Sequence, residues 1–322
     1  MGHGRRVTMS APVAQAAPTT GAERRETPAP PGRAGGAVRG RAVRLQAALG
    51  LVPFAAYVLA FLALPTLIAV ASGFFDDEGS FTLANVAALG DPVILRTFWN
   101  SAWLSALTAV VGAVVGAAAC YALIGLEGTG TRAVVDAAAG VLAQFGGVML
   151  AFAFIATIGL QGLVTIWLQD AFGIDLFADG AWIYELPGLI LPYLYFQVPL
   201  MIITFMPALS ALKPQWAEAN LTLGGTRTGF WRHVGIPVLA PSFLASLLLL
   251  FANAFSSYAT AAALASQGSQ IVPLQIRTAL TSETMLGREN LAGALALGMI
   301  AVMALTMWGY SAVQRRAARW QR

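Results

Sequence analysis

Six long stretches of this chain contain no charged side chain, and this pattern constrains its fold more than any other feature. They comprise residues 45–75, 97–126, 137–169, 186–212, 234–276 and 290–314. A helix needs about 20 apolar residues to cross a bilayer, and each stretch is longer than that. The polar segment 266–270 interrupts the fifth stretch, which therefore predicts one span at about 239–262. The sequence predicts an all-α membrane protein with six transmembrane helices.

Composition agrees with a membrane protein and excludes several soluble classes. Charged residues make up 11 % of the chain and hydrophobic residues 57 %, whereas a soluble domain carries roughly 25 % charged residues. These values exclude a soluble enzyme, a disordered protein and a nucleic-acid-binding protein with a basic patch. The chain has one cysteine, Cys120, which excludes a disulfide framework and a thiolate metal cluster. We expect no cofactor and no nucleic-acid partner.

The distribution of basic residues predicts that both termini are cytoplasmic. With both ends inside, 16 of the 19 Lys and Arg residues lie on the cytoplasmic side, as the positive-inside rule requires. Only Arg96, Arg277 and Arg288 then lie outside, together with ten of the 15 acidic residues. The inner side sums to +11 and the outer side to −7, so the net charge of the chain reflects topology.

The two ends of the chain lie outside the predicted helical core. Residues 1–43 are rich in Ala, Pro, Gly and Arg and predict a disordered basic cytoplasmic tail, because they have too few large apolar side chains to form a core. Such a tail fixes topology or contacts anionic membrane lipid. Residues 44–75 contain the first transmembrane helix, and residues 314–322 form a second basic cytoplasmic tail.

Small residues and prolines within the stretches predict how the helices pack and bend. Gly112 and Gly116 are four residues apart and predict close contact with a neighbouring helix. The prolines of the fourth stretch weaken its backbone hydrogen bonding and predict places where a helix can bend. These are Pro192, Pro199 and Pro207.

The one long cytoplasmic loop, residues 213–237, contains a predicted helix of about ten residues. Pro214 can begin it, because the first turn leaves the missing N–H unpaired in any case, and Gly224-Gly225 can end it in a left-handed conformation. The residues that share one face at helical spacing are Trp216, Ala219, Asn220 and Leu223. Periodicity alone favours equally a helix that docks on a partner protein and an interfacial helix whose Trp216 enters the headgroup layer.

The spacing of residues in this loop carries a family resemblance. Glu218-Ala219-Asn220 is followed after three residues by Gly224, and after nine more by Val234, Gly235, Ile236 and Pro237. This spacing resembles, without a gap, the EAA signature of the permease subunits of binding-protein-dependent ABC importers. The departures are Asn220 for the second Ala, Val234 for Ile and Ile236 for Leu. The resemblance covers about residues 97–313 and implies the six-helix, MetI-like permease fold.

The resemblance also implies a role for the loop and a set of partners. The loop would be a coupling element that docks on a separate ATPase subunit, with Glu218 holding the loop and Gly224 forming a tight turn. The residues implied in coupling are Trp216, Glu218, Ala219, Leu223, Gly224, Ile236 and Pro237. Further implied partners are a second permease subunit, identical or different, and an extracytoplasmic substrate-binding protein. The chain would be a non-catalytic subunit in a bacterial cytoplasmic membrane.

The source of energy can be argued from the charged residues directly. A phosphate-binding loop needs Lys followed by Ser or Thr, but Pro214 follows Lys213, which is the only lysine. A gradient-driven secondary carrier would place ionisable residues within its spans, and Asp136, the only candidate, lies at the edge of the third stretch. An ABC importer subunit is therefore favoured, and a secondary carrier or a membrane scaffold that recruits a soluble partner stays open as an alternative.

Polar side chains within the spans are candidates for the substrate path. They are Asn253, Ser256, Ser257, Tyr258 and Gln197. The run Thr222-Leu223-Gly224-Gly225 resembles the corresponding run of polyamine, ferric-iron, thiamine and oxyanion permeases. The segment 263–276 resembles the spermidine/putrescine group, so a polyamine-like substrate is the leading expectation. Iron, thiamine, phosphonate or another oxyanion, and sugar are alternatives.

Overall fold

The computed structural model describes residues 50–76, 78–126, 128–265, 271–281 and 289–319. The predicted tail 1–43 lies outside these residues. Within these ranges six helical segments are long and apolar enough to cross a membrane, namely Gly50–Ser72, Pro92–Leu126, Gly147–Phe172, Leu186–Ser210, Arg227–Phe255 and Asn290–Arg315. The prediction of an all-α protein with six membrane-spanning helices is confirmed.

The chain divides into a unit that ends at Leu59 and a unit that comprises Ala60–Arg322. Of the first unit, the structure describes only the apolar helical stretch from Gly50 onward. The main helices of the second unit are α1 (Leu64–Ser72), α2 (Pro92–Leu123), α3 (Gly130–Gln144), α4 (Gly147–Ile158), α5 (Leu163–Phe172), α6 (Ile190–Ser210), α7 (Pro214–Thr222), α8 (Ile236–Phe255), α9 (Ala259–Leu264), α10 (Val272–Thr281) and α11 (Glu289–Arg319). Two further one-turn helices are Ala84–Ala87 and Arg227–Phe230.

Local capping places the start of α2 ahead of the second uncharged stretch. The Asp91 carboxylate accepts a hydrogen bond of 2.9 Å from the backbone N–H of Val93, and Pro92 occupies the first helical position. Both features favour a helix start. The helix therefore begins five residues before the charge-free stretch and includes Arg96. Gaps between charges locate a span but not its first residue.

The third uncharged stretch, 137–169, forms three helices and not a single one. α3 ends at Gln144 and α4 begins at Gly147, whose φ of +72° favours glycine. A turn at Gly159 and Gly162 then separates α4 from α5. The segment that can cross a membrane is Gly147–Phe172. The glycine pair at 146–147 is a break signal in the sequence.

The fifth span also differs from its predicted bounds of about 239–262. The candidate span runs from Arg227 to Phe255, and α9 is a separate short helix. The Ser256 hydroxyl donates a hydrogen bond of 3.2 Å back to the carbonyl of Asn253, and the Ser257 N–H bonds to the carbonyl of Ala254. Serine competes in this way with helical hydrogen bonding, so the helix ends here.

The core of the second unit is the contact between α2 and α6. A Cβ atom at Gly112 would lie 3.0 Å from the Cβ of Gln197, and one at Gly116 would lie 2.5 Å from the Cβ of Met201. The two helices therefore approach as closely as glycine allows, as the spacing of these glycines predicts. α2 and α6 both pack on α8, α8 packs on α11, and α3 packs on α6. Pro199 and Pro207 lie inside α6.

Candidate functional site

The predicted loop helix is present as α7. Pro214 is its first residue, and Gly224, with φ of +82°, follows its last turn. The N–H of Gly224 bonds to the carbonyl of Leu221 at 3.0 Å, and the N–H of Gly225 bonds to that of Asn220 at 2.8 Å. This pair of bonds is a Schellman motif, which requires a left-handed residue at Gly224.

The surface of α7 is open on the side away from the membrane helices. Leu223 is 88 % exposed and Trp216 is 41 % exposed, although both are large and apolar. Glu218 and Ala219 are exposed as well. Asn220 departs from the face predicted by spacing, because it is partly buried and its Nδ2 donates a hydrogen bond of 3.0 Å to the carbonyl of Thr226.

Residues after α7 join this helix to α2. The Arg227 guanidinium donates a hydrogen bond of 3.3 Å to the Tyr121 hydroxyl at the end of α2. The ring of Tyr121 packs edge-on against Trp231 with centroids 5.4 Å apart. Thr226 caps the short helix Arg227–Phe230 by accepting from the N–H of Gly229. No motif in the sequence marks Tyr121 or Arg227, so these contacts could not be predicted from it.

The same segment continues directly into α8. A π-helical turn, Trp231–Gly235, follows Phe230, and α8 begins with Ile236 and Pro237. A Cβ atom at Gly235 would lie 2.6 Å from the Trp231 ring, so this turn needs glycine. Ile236 and Pro237 are exposed. Helical backbone therefore runs without a break from Arg227 into α8, and residues 223–226 join this segment to α7.

A cavity of about 610 Å³ separates α7 from the ends of α2 and α6. Lys213 and Arg227 lie on its wall, and Ala217, Asn220 and Leu221 line its α7 side. No side chain of the described residues fills this space, so α7 is held at its two ends and by the hydrogen bond from Asn220 to Thr226.

A second polar region lies where two helix breaks meet. A cavity of about 230 Å³, here called the break cavity, lies between the α3–α4 break and the α8–α9 break. Its lining residues are Ala143, Gly146, Gly147, Phe196, Asn253, Ser256 and Ser257. The N–H of Gly147 donates a hydrogen bond of 2.9 Å to the Thr260 hydroxyl, and Tyr193 donates one of 2.9 Å to the carbonyl of Ser257. The first bond joins the start of α4 to α9, and the second joins α6 to the α8–α9 break.

The remaining path candidates lie elsewhere. Tyr258 and Ser256 line a neighbouring cavity of about 350 Å³, here called the Arg277 cavity, whose other walls come from α10 and Met299. Gln197 is fully buried and donates a hydrogen bond of 2.8 Å to the Thr108 hydroxyl. The structure thus brings together Asn253, Ser256 and Ser257, places Tyr258 next to them, and places Gln197 in the α2–α6 contact.

Asp136, the carboxylate that an ion-driven carrier would need, is paired. Its Oδ2 lies 2.8 Å from Nε of Arg132, one helical turn before it in α3. Arg132 also donates to the carbonyl of Leu123 at the end of α2. This arrangement secures the ends of α2 and α3, which is a structural role.

Similar sequences are permeases. No family model matches the chain. The sulfate transport system permease protein CysT of Salmonella typhimurium is 31 % identical over 75 residues, which are 23 % of this chain and 27 % of that protein. The ferric transport system permease protein FbpB of Actinobacillus pleuropneumoniae is 27 % identical over 101 residues, or 31 % of this chain and 14 % of that protein. The chain thus matches about a quarter or less of each relative.

Similar solved structures cover far more of the chain. A bacterial ABC transporter involved in the import of the acidic polysaccharide alginate has a chain with TM-score 0.68 and 16 % identity, covering 88 % of this chain and 98 % of that one. The MetNI methionine ABC transporter has a chain with TM-score 0.51 and 14 % identity, covering 71 % and 99 %. The matched segments are therefore similar to permease proteins, and the fold is similar to that of chains of ABC transporters. Its six apolar helices agree with a multi-pass membrane protein.

Proposed function

We propose that this chain is the membrane-spanning subunit of an ABC importer, that it forms half of a substrate pathway, and that a separate ATPase subunit docks on α7. The observation that carries the proposal is the exposure of Leu223 and Trp216 at a helix whose following segment, from Arg227 onward, is bonded to α2 and leads into α8. A short helix with apolar side chains outside the bundle is suited to a groove on a partner protein.

The residues of α7 and of the turn after it would each have a separate role in binding the ATPase subunit. Trp216 and Leu223 supply apolar contact, and the exposed carboxylate of Glu218 supplies a charge-assisted hydrogen bond. Ala219 is small enough to allow close approach. Gly224 gives the turn that returns the chain toward the membrane helices.

Movement of the ATPase would reach the bundle by two routes. One route leads from α7 through the Asn220–Thr226 and Arg227–Tyr121 hydrogen bonds into α2. The other leads through the π-helical turn and through Ile236 and Pro237 into α8. Because α2 and α8 both pack on α6, a shift of α7 would be transmitted to the centre of the bundle.

The substrate path would pass the break cavity. Interrupted helices are tolerated within a membrane where they line a cavity, and at the break cavity two interruptions meet around three polar side chains: Asn253, Ser256 and Ser257. Tyr258 would extend this lining toward the Arg277 cavity. The burial of Gln197 favours a packing role for that residue over contact with substrate.

A second permease subunit and an extracytoplasmic binding protein would complete the importer. Relatives and structural neighbours named above are described as sulfate, ferric, alginate and methionine transporters. None of these four is described as a polyamine transporter, so the polyamine expectation gains no support from them.

The coupling proposal is tested with Gly224→Glu in the assembled transporter. Gly173→Glu is a matched control, because Gly173 also follows a helix with positive φ and open space around it but lies at the end of α5. We expect Gly224→Glu to abolish ATP-driven uptake and the stimulation of ATP hydrolysis while the protein still inserts, and Gly173→Glu to retain both.

A second, milder variant distinguishes loss of docking from misfolding of the protein. Leu223→Asp changes a side chain that is 88 % exposed, so it should leave the fold intact and still weaken co-purification of the ATPase. Uptake that persists without any ATPase, or variants at both positions that transport like the parent, would contradict the coupling role of α7.

A further inference from the structure

Arg277 is a positively charged residue beside the proposed path. It is exposed on α10 and lines the Arg277 cavity with Ser256 and Tyr258. Ser256 also lines the break cavity, so the two cavities share a wall. Among the described residues that line either cavity, Arg277 is the only charged one. No carboxylate in the described part of the chain forms an ion pair with it.

The position of Arg277 is unusual for this sequence. It is one of three basic residues on the predicted outer side, which sums to −7. The positive-inside rule therefore does not explain the position of Arg277. No carboxylate among the described residues pairs with it and explains it either. A guanidinium at a cavity wall, with no ion-pair partner among the described residues, can bind carboxylate, sulfate and phosphate groups through two parallel hydrogen bonds, and it repels amines.

The partial charges of the helix ends at the break cavity are compatible with a bound anion. α4 begins at this cavity, and a helix N-terminus carries partial positive charge. α8 ends there with partial negative charge, which is reduced because three carbonyls of its last turn already accept hydrogen bonds: Ala252 and Asn253 accept from Ser256, and Ala254 accepts from Ser257. Arg277 therefore contributes the only full charge to the electrostatics of the described lining.

We propose that the imported substrate is anionic, with a carboxylate or an oxyanion group, and that Arg277 binds this group before the substrate reaches Asn253, Ser256 and Ser257. The proposal rests on the proposed import function. A polyamine is cationic, so this proposal replaces the polyamine expectation with a substrate of the opposite charge. Arg277 acts here as a specificity residue at the predicted outer entrance.

The experiment uses cells in which the chain is deleted and then restored in its native membrane. The medium contains defined anions, among them sulfate, phosphate, citrate and uronate oligosaccharides, together with putrescine, spermidine and neutral sugars. The substrate is the compound whose depletion depends on the chain. We expect an anion, and we expect Arg277→Gln to raise the KM of its uptake about tenfold, as loss of one charge-assisted contact would. Arg277→Lys should retain most of the affinity.

Arg96→Gln is the matched control, because Arg96 is also exposed and also lies on the predicted outer side. It should leave uptake unchanged. Depletion of an amine or a neutral sugar, or an Arg277→Gln phenotype equal to that of Arg96→Gln, would overturn the inference while leaving the import function intact. If no depletion depends on the chain, or if depletion persists without an ATPase, the proposed function fails and the inference fails with it.

Discussion

The guanidinium of Arg227 lies 3.3 Å from the hydroxyl of Tyr121, and this hydrogen bond joins the loop that carries α7 to the end of α2. The two residues are 106 positions apart in the sequence. Beside the bond, the Tyr121 ring contacts Trp231 edge-on, so the same tyrosine touches two residues of the segment 227–235 that precedes α8. In the proposed coupling, Tyr121 would receive movement of α7 through these contacts.

Tyr121→Phe removes the hydroxyl and keeps the ring contact with Trp231. Because one hydrogen bond contributes about 1 kcal/mol, we expect the rate of ATP-driven uptake to fall about two- to fivefold, with the amount of inserted protein unchanged. Tyr195→Phe is the control, since the ring of Tyr195 packs on Phe154 away from the loop. Equal rates in the two variants would show that the Tyr121 hydroxyl does not transmit movement.

The turn after α7 offers a double-mutant test. A Cβ atom at Gly225 would lie 2.6 Å from Cγ of Asn220, so Gly225→Ala must displace the Asn220 amide from the Thr226 carbonyl that it contacts at 3.0 Å. Asn220→Ala removes the same bond directly. We expect each variant to weaken coupling, measured as transport per ATP hydrolysed, and the double variant to be no worse than Asn220→Ala. Additive losses would mean that Gly225 acts independently of Asn220.

The close approach of α2 and α6 predicts that substitution by alanine has opposite effects on stability at two glycines. Gly116→Ala places a methyl group 2.5 Å from the Cβ of Met201, and such overpacking costs about 1–3 kcal/mol. Gly140→Ala, in α3, meets nothing within 4 Å and should stabilise the helix by about 0.5–1 kcal/mol. Thermal unfolding of the detergent-purified protein measures both. A Gly116→Ala protein as stable as the parent would contradict this packing.

Gln197 allows the packing role and the path role to be separated. Its Nε2 donates to Thr108, while its Oε1 has no partner among the described residues. Thr108→Val leaves the buried amide without its acceptor, so we expect it to lower thermal stability, and Gln197→Leu in the same protein to restore part of the loss. Interhelical hydrogen bonds in membranes contribute about 0.6 kcal/mol on average, which sets the scale.

A different outcome for Gln197→Leu would favour a role of Gln197 on the substrate path. A Gln197→Leu protein with unchanged thermal stability and a KM of uptake raised severalfold would place this side chain on the substrate path, as the sequence argument expects.

Local signals in the sequence were sufficient for the spans and for α7. Charge-free stretches mark the spans because the bilayer excludes charge, and Pro214 with Gly224 marks both ends of α7 within a single turn of each boundary. The residues that connect these elements carry no local signal. Gly147 and Thr260 meet across 113 positions, and Thr108 and Gln197 meet across 89. Such partners depend on tertiary packing, and so the break cavity and the burial of Gln197 could not be predicted.

The hydrogen bond from the Gly147 N–H to the Thr260 hydroxyl predicts how the break cavity keeps its shape. Thr260 is fully buried in α9, and the bond is 2.9 Å long. Thr260→Val preserves the shape of the side chain but removes the acceptor, and a buried N–H without a partner costs about 1–3 kcal/mol. We expect Thr260→Val to lower thermal stability and to slow ATP-driven uptake, because the start of α4 is no longer held against α9. Thr260→Ser keeps the acceptor and should transport at nearly the parental rate. If Thr260→Ser and Thr260→Val are equally slow, the methyl group of Thr260 matters and the hydrogen bond does not.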